Sequence, residues 1–257
     1  MPTAATAWIT RSPAHRPVLR ARSFLERRRV NAAPPQPIRT RYCISPYKTG
    51  CGYLTHLFRS HDQQAAHAPL HHTSLLHLDD PDFLARRAAL LKLRLECSGF
   101  LAGRLALVRS YAPRVPVLYL RRSPATWMGS LIHHLAGLER SMHYNFVGRL
   151  VFEPLCGGPV ENFFRLDGAM QARIVRALVA YWIRVYSEPQ NDEHALTVPL
   201  RNLHERLEEV EDFLGMQAAR SSRPWSRSGR SKHAISLRDY ADLDDLSPAV
   251  ERLGETL

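Results

Sequence analysis

A lysine, a threonine and two glycines lie within residues 48–52, and these residue types are suited to binding an anion. A short apolar run before them ends at Ser45, and apolar residues from Leu54 onwards return at helical spacing, which predicts a strand, a tight turn and a helix. The first backbone N–H groups of such a helix have no partner within it and, together with the helix dipole, attract negative charge. Glycine lets a phosphate approach the backbone closely, while Lys48 and the Thr49 hydroxyl add a charge and a donor.

A second turn with the same chemistry follows the apolar run at residues 115–120. This run has the continuous apolar character of a parallel strand that is buried on both faces, and it ends at Arg121 and Arg122. Ser123 is a suitable N-cap and Pro124 a suitable first helical residue, so a helix is predicted to begin there. Arginine side chains at a helix N-terminus can form charge-assisted hydrogen bonds with phosphate. The sequence therefore predicts two anion-binding turns, each placed after a strand.

The first turn resembles the phosphosulfate loop of the sulfotransferases that use 3′-phosphoadenosine-5′-phosphosulfate (PAPS). In that family the loop reads Pro-Lys-Ser/Thr-Gly-Thr-Thr, followed by an aromatic or apolar residue. The residues of this chain that match the pattern are Lys48, Thr49, Gly50 and Leu54, with Tyr53 in place of the common aromatic residue. The positions that depart from it are Tyr47, Cys51 and Gly52. The nucleotide-binding P-loop of kinases has a different order, because its lysine follows the glycines.

The second turn resembles the motif with which the same family binds the 3′-phosphate of PAPS. That motif is an apolar strand followed by Arg-Asp-Pro, with a serine eight residues after the arginine. Arg122, Pro124 and Ser130 reproduce this spacing, and Ser123 replaces the aspartate. The resemblance covers about residues 40–235 in the order of its elements.

The resemblance implies transfer of a sulfuryl group from PAPS to a hydroxyl or amine of an acceptor, which is a small molecule, carbohydrate, lipid or peptide. The implied residues around the 5′-phosphosulfate are Lys48, Thr49, Gly50, Cys51, Gly52 and Tyr53. The 3′-phosphate is expected at Arg122 and Ser130, with a late Arg-x-Gly loop for which Arg227 and Gly229 are the candidates. Lys48 is placed to stabilise the charge of the departing phosphate.

The proton acceptor of this reaction is a histidine or a glutamate in the family, and the chain offers Glu96, His71 and His72. An apolar stripe that begins after Asp80 and continues past Glu96 predicts a helix, which could be interrupted near Ser98. The histidine-rich segment before it is predicted to be a polar loop. Glu96 is therefore favoured, because it lies on a regular element near the centre of the sheet. No cysteine or carboxylate stands at ligand spacing to the histidines, so no metal is expected.

Strands and helices alternate along the chain, which predicts an α/β fold with the ligand at the carboxyl ends of the strands. The expected architecture is a three-layer sandwich with a mainly parallel central sheet, similar to that of P-loop NTPases and sulfotransferases. A length of 257 residues suits one core, so residues 39–257 are predicted to form a single domain. Residues 1–38 are rich in arginine and proline with Glu26 as their only acidic residue, and they are predicted to be a flexible basic arm.

Composition leaves two other classes of function open. The net charge of +11 by itself would suit a non-catalytic nucleic-acid-binding module, although nucleic acid is not the expected partner. A nucleotide-dependent phosphotransferase of the kinase type would also use anion-binding turns. The apolar runs are too short to cross a membrane. The four cysteines lack paired ligand spacing, which favours a reducing compartment, and we expect a cytoplasmic protein whose oligomeric state is left open.

Overall fold

The centre of the molecule is a parallel β-sheet. A computed structural model describes residues 15–59, 64–137, 144–219 and 235–257, apart from the side chains of residues 15–16 and 144–146. The strands are β1 (Arg41–Cys43), β2 (Ala65–His67), β3 (Leu95–Cys97), β4 (Val117–Arg121) and β5 (Ala195–Pro199). They lie in the order β2-β3-β1-β4-β5, and every neighbouring pair is parallel. The predicted α/β class with a parallel central sheet is confirmed.

Helices flank this sheet. Within the described residues they are α1 (His15–Asn31), α2 (Cys51–Phe58), α3 (His71–Leu75), α4 (Pro81–Leu91), α5 (Leu105–Tyr111), α6 (Pro124–Ala136), α7 (Glu153–Cys156), α8 (Gly168–Ser187), α9 (Leu207–Leu214) and α10 (Ser247–Arg252). A π-helical segment, Tyr144–Phe152, precedes α7. Two helices begin at aspartate N-caps: the carboxylates of Asp80 and Asp167 accept hydrogen bonds from backbone N–H groups of α4 and α8 at 2.9 and 2.8 Å.

Side chains of the strands alternate between two hydrophobic clusters, one on each face of the sheet. In β4, Val117 and Tyr119 pack in the larger cluster with residues of α6 and α8. Leu118 and Leu120 pack in the smaller cluster with residues of α2 and α9. All four side chains are fully buried. Because helices cover both faces, the strands can be apolar throughout, as the sequence of β4 predicts.

The connections of the two central strands diverge, and this creates the position for a ligand site. From β1 the chain passes through α2 to β2 at one edge of the sheet, whereas from β4 it passes through α6 and α8 to β5 at the other edge. In open parallel sheets, a crevice forms outside the carboxyl ends of two neighbouring strands whose connections run in opposite directions. The turns after β1 and β4 are therefore placed on the two sides of one crevice.

Strands β2 and β3 were not expected from the sequence. Helix α4 ends at Leu91, and Lys92 follows it in a left-handed conformation with φ of 49°. The next residues enter β3, which pairs with β1 on one side and β2 on the other. The prediction of a continuing helix through Glu96 is therefore wrong. Each of these strands has only three residues, which is too short to distinguish the period of a strand from that of a helix.

Part of the segment predicted as a flexible arm is an ordered helix. In α1, the side chains of Leu19 and Val30 are buried against the domain. Thr73 of α3 donates a hydrogen bond to Glu26, and Arg86 of α4 donates to the carbonyl of Asn31 at 3.3 Å. The prediction is thus corrected for His15–Asn31. The high arginine content had concealed the narrow apolar stripe that holds this helix in place.

Two further observations concern the lengths of the apolar helices and the state of the cysteines. None of the helices among the described residues is long and apolar enough to cross a membrane. The four cysteines are all free thiols with buried side chains. The cytoplasmic location stays a prediction.

Candidate anion-binding cleft

A cleft of about 800 Å³ lies at the carboxyl ends of β1, β2 and β4. Its walls bring together most of the residues that the sequence assigned to PAPS. The predicted residues that line it are Lys48, Gly50, Cys51, Gly52, Tyr53, Arg122 and Ser130. The two turns are far apart in sequence, so their meeting in one cleft depends on the pairing of β1 with β4.

The loop before α2 has an unusual backbone. Gly50 is the N-cap of α2 with φ of 102°, and a Cβ atom there would lie 2.9 Å from Cδ1 of Leu200. The backbone conformation therefore favours glycine, whereas the Leu200 side chain could move to make room for a Cβ atom. Lys48 also has a positive φ, 70°, which is uncommon for a residue with a side chain. Backbone strain of this kind is concentrated at ligand-binding and active sites.

The space in front of α2 is open. A Cβ atom built on Gly52, in the first turn of the helix, would have no heavy atom within 4 Å. Gly52 lines the cleft, so a ligand can reach the backbone of the first helical turn. The N–H groups of that turn and the helix dipole both favour an anion at this position.

Lys48 and Arg122 give the cleft its positive charge. The Nη1 of Arg122 donates a hydrogen bond to the carbonyl oxygen of Lys48 at 2.9 Å, which ties the two turns together. Burial is the main cause that lowers the pKa of both side chains, and the charge of Arg122 lowers the pKa of Lys48 further. Within the described part of the chain, neither cation forms an ion pair with a carboxylate. An anion in the cleft would relieve this repulsion.

Two tryptophans fix the backbone of the turns. The indole N–H of Trp127 in α6 donates to the carbonyl of Tyr47 at 2.8 Å. The indole N–H of Trp182 in α8 donates to the carbonyl of Arg122 at 2.9 Å. Both side chains are fully buried, so these hydrogen bonds hold the loops against the core. The cationic residues are therefore presented on a rigid frame, which favours a preorganised site.

Arg121 serves a different purpose from its neighbour. Its Nε lies 3.4 Å from Oε1 of Glu255 near the end of the chain, and it is not among the residues that line the cleft. Arg122 does line the cleft. Arg122, but not Arg121, therefore faces the cleft.

Two of the predicted ligand contacts differ from expectation: that of Thr49 needs correction, and Tyr53 lies at the edge of the cleft. The Thr49 side chain is fully buried and its hydroxyl donates to the carbonyl of Pro46, so it faces away from the cleft. The prediction of a ligand bond from this hydroxyl is wrong, because the hydroxyl donates its hydrogen bond within the tight turn. Tyr53 lines the cleft, and its hydroxyl lies 2.8 Å from Nε2 of His204, beyond β5. Arg227 and Gly229 lie outside the described residues.

Glu96 is not placed to accept a proton from a ligand. It lies in β3 with 1% of its surface exposed. Its two carboxylate oxygens accept hydrogen bonds from the Nη atoms of Arg87, both at 2.9 Å, and Ser98 donates another at 2.6 Å. The prediction of Glu96 as the catalytic base is therefore wrong. His72, another candidate from the sequence, does not line the cleft either.

Four histidines do line the cleft: His56, His67, His71 and His134. His67 ends β2 with its side chain exposed in the cleft. Partial desolvation is the main cause that lowers its pKa, and the nearby charge of Lys48 lowers it further. His71 begins α3, and its Nε2 lies 2.9 Å from the hydroxyl of Tyr47. Burial raises the pKa of Tyr47 well above its usual value, so the phenol stays protonated.

Sequence reasoning had noted some of these histidines and missed others. His71 was a candidate proton acceptor, whereas His67 was assigned only to the polar loop. His56 stands four residues after Gly52, and His134 stands four residues after Ser130, so each shares a helical face with a predicted site residue. That spacing was the signal that could have found them. No group of three or more histidine, cysteine, aspartate or glutamate residues in the described ranges is arranged to hold a metal ion.

No protein-family model, curated protein or solved structure matches this chain. The chemistry therefore has to be inferred from the cleft. It combines an open helix N-terminus, a lysine and an arginine without carboxylate partners among the described residues, and histidines that can exchange protons. Such a site can bind a ligand with two anionic groups and can assist a transfer in which negative charge develops next to Lys48.

Proposed function

We propose that this protein transfers a sulfuryl group from PAPS to a hydroxyl or amine of an acceptor. The observation that carries the proposal is that the turns after β1 and β4 line one cleft, to which they contribute Lys48, Arg122 and Ser130. PAPS has anionic groups at both its 5′ and 3′ positions, so two cationic turns suit it. We also propose that the fold is the P-loop-like fold of sulfotransferases.

The residues present fit this ligand. The cleft volume of about 800 Å³ lies within the range of about 300–1,000 Å³ that is usual for small-molecule sites. Gly52 leaves room for a bulky anion at the N-terminus of α2. By contrast, the described residues around the cleft include no aspartate or glutamate. This favours sulfuryl transfer over the kinase-like alternative, in which side-chain carboxylates usually hold Mg²⁺.

Each cationic residue has a separate task in the proposed reaction. When bound, PAPS would supply the sulfuryl group, with 3′-phosphoadenosine-5′-phosphate as the leaving group. The ammonium group of Lys48 would stabilise the negative charge that develops at the 5′ end. Arg122 and Ser130 would hold the 3′-phosphate through hydrogen bonds to its charged oxygens, from a cationic and from a neutral donor respectively. The acceptor would enter from the side of the cleft formed by β2 and α3.

We assign the role of proton acceptor to His67. It lies at the carboxyl end of β2, close enough to Lys48 to feel its charge, and its lowered pKa keeps the imidazole neutral at pH 7. A neutral imidazole can accept the proton of a hydroxyl or an ammonium group. His71 has its Nε2 engaged with Tyr47, so it is better suited to orient the acceptor.

This assignment predicts the pH dependence of the reaction. Since only neutral His67 accepts a proton, kcat/KM should rise with pH and reach half of its plateau below pH 6.5, the ordinary pKa of histidine. The measurement is a pH profile of sulfuryl transfer. His67→Ala should remove this acidic limb and lower the plateau by about 10²–10⁴-fold. His194→Ala, before β5 at the opposite end of the sheet, should keep the wild-type profile. An unchanged profile for His67→Ala would exclude His67 as the base.

The experiment that tests the function is a comparison of nucleotides. 3′-Phosphoadenosine-5′-phosphate should bind with a dissociation constant in the range of about 1–100 μM, because enzyme sites commonly work at such ligand concentrations. At 100 times that constant it should add about 2.7 kcal/mol to the free energy of unfolding and raise Tm. ATP lacks the 3′-phosphate and should bind at least about tenfold more weakly. Calorimetry that gives equal affinities would overturn the proposal of two anion sites.

Arg122→Ala should weaken binding of this product nucleotide by about 1.5–3 kcal/mol, because a charge-assisted hydrogen bond is lost. Arg121→Ala is the matched control, since Arg121 pairs with Glu255 outside the cleft, and its effect on affinity should be below about 0.5 kcal/mol. Titration calorimetry of both variants provides the measurement. A larger loss of affinity for the Arg121 variant would contradict the proposed register of the motif.

A further inference from the structure

Helix α1 has apolar side chains on two opposite sides. Its inner side holds Leu19 and Val30, which are buried against the domain. Its outer side holds Val18, Phe24 and Leu25, each with 59% of its surface exposed. At about 100° per residue, these three side chains fall within one stripe that lies opposite the inner side. The packing of the domain accounts for the inner stripe but gives the outer one no partner among the described residues.

The outer side of α1, defined by Val18, Phe24 and Leu25, is bordered by arginines. At helical spacing, Arg20 and Arg27 lie along one border of the stripe, and Arg22 and Arg29 lie along the other. The guanidinium group of Arg28 lies over the ring of Phe24, 5.9 Å from its centroid. The three apolar side chains therefore lie between two rows of positive charge, and Arg28 lies among them.

Little negative charge offsets these arginines. Glu26 is the only acidic residue of α1, and 13% of its side chain is exposed. It turns towards the domain, where it accepts a hydrogen bond from Thr73 of α3, and it also pairs with Arg22 at 2.7 Å. The exposed part of the helix thus has strong positive charge as well as exposed apolar side chains.

We propose that the outer side of α1 binds the surface of a membrane that contains anionic lipids. A helix with an apolar stripe between basic residues lies in the plane of the interface, with its apolar side chains inserted below the headgroups. Arginine can keep its charged group at the level of the lipid phosphates while its stem covers apolar surface. A nucleic acid would satisfy the arginines but would leave Phe24 and Leu25 exposed to water, so the apolar stripe favours lipid.

This proposal does not depend on the reaction in the cleft. The outer stripe belongs to α1, whereas the cleft residues come from the turns at the carboxyl ends of the strands. Contacts of α1 with α3 and α4 fix which side faces outward. Since Phe24 and Leu25 are mostly exposed, their replacement should shift the free energy of unfolding by no more than about 0.5 kcal/mol, and the variants should fold.

The test is co-sedimentation of the full chain with vesicles at physiological salt. Vesicles of phosphatidylcholine with phosphatidylserine should bind the protein at least about tenfold more strongly than vesicles of phosphatidylcholine alone. The double variant Phe24→Ser/Leu25→Ser should reduce binding to the anionic vesicles by at least about tenfold. Leu150→Ser, which changes an exposed leucine in the π-helical segment, should leave binding unchanged.

Two further measurements, with arginine variants and with duplex DNA, distinguish lipid binding from general electrostatic attraction and from nucleic-acid binding. Arg20→Gln/Arg27→Gln should weaken binding to anionic vesicles, whereas Arg201→Gln, an exposed arginine after β5, should change it far less. Failure to bind anionic vesicles would overturn the proposal. Unchanged binding by the Phe24→Ser/Leu25→Ser variant would also overturn it, because the binding would then come only from the net charge of +11. Binding to duplex DNA that depends on Arg20 and Arg27, without binding to vesicles, would assign the surface to nucleic acid instead.

Discussion

Lys48→Ala is expected to lower the rate of sulfuryl transfer at saturating PAPS by about 10²–10³-fold, the loss that follows removal of one preorganised group facing developing charge. Affinity for the product nucleotide should fall by less than about tenfold. The reason for the difference is that the leaving phosphate gains charge in the transition state, so an interaction that strengthens there affects turnover more than binding. Lys48 lines the cleft beside the N-terminus of α2, where this charge would develop.

The experiment needs a control for the backbone of Lys48. Lys92→Ala provides it, because Lys92 is an exposed lysine that also has a positive φ, 49° against 70° for Lys48, and it lies outside the cleft. Both alanine variants keep the Cβ atom that lysine already places in the left-handed region, so neither adds backbone strain. Single-turnover transfer and nucleotide affinity should be measured for both proteins. If Lys48→Ala transferred the sulfuryl group within a few-fold of the wild-type rate, Lys48 would have no part in the chemistry.

The two anion-binding turns could be predicted because their signals are local. Gly50 is needed for a left-handed N-cap, and Pro124 follows Ser123 at the start of α6, so a few adjacent residues define each turn. Their meeting in one cleft could be expected from the rule for parallel sheets, since each turn follows an apolar strand candidate. What the sequence could not show is the bond from Arg122 to the carbonyl of Lys48, which depends on β1 and β4 being neighbours.

The wrong secondary-structure predictions fall on short strands, whose few residues show no clear hydrophobic periodicity. Strand β3 contains Leu95, Glu96 and Cys97, and its apolar residues continue the helical spacing of α4 by coincidence. Glu96 was therefore placed on a helix, whereas its partner is Arg87, nine residues earlier on α4. In the same way, His67 was assigned to a loop because β2 has only three residues. Tertiary pairing decides such segments, and a single sequence gives no direct signal of pairing.

The corrected position of Glu96 leads to the second large expected effect. Glu96→Ala should lower the free energy of unfolding by about 3–5 kcal/mol, because it leaves the buried guanidinium group of Arg87 without its counter-charge. Glu209→Ala is the control. Glu209 makes the same kind of two-bond pair with Arg206, but on the surface, where such pairs contribute at most about 1 kcal/mol. Denaturant unfolding of the two variants gives the comparison.

A double replacement distinguishes structural support from catalysis. Arg87→Met/Glu96→Leu removes both buried charges, and apolar pairs of similar volume often restore the stability of such a site. The double variant should therefore recover most of the stability lost in Glu96→Ala, although the carbonyl of Pro69 loses the hydrogen bond that it accepts from Arg87. Once folded, it should transfer the sulfuryl group within a few-fold of the wild-type rate, because neither side chain lines the cleft. A stable double variant without turnover would instead return Glu96 to the reaction, and the base would have to be sought in β3 rather than at His67.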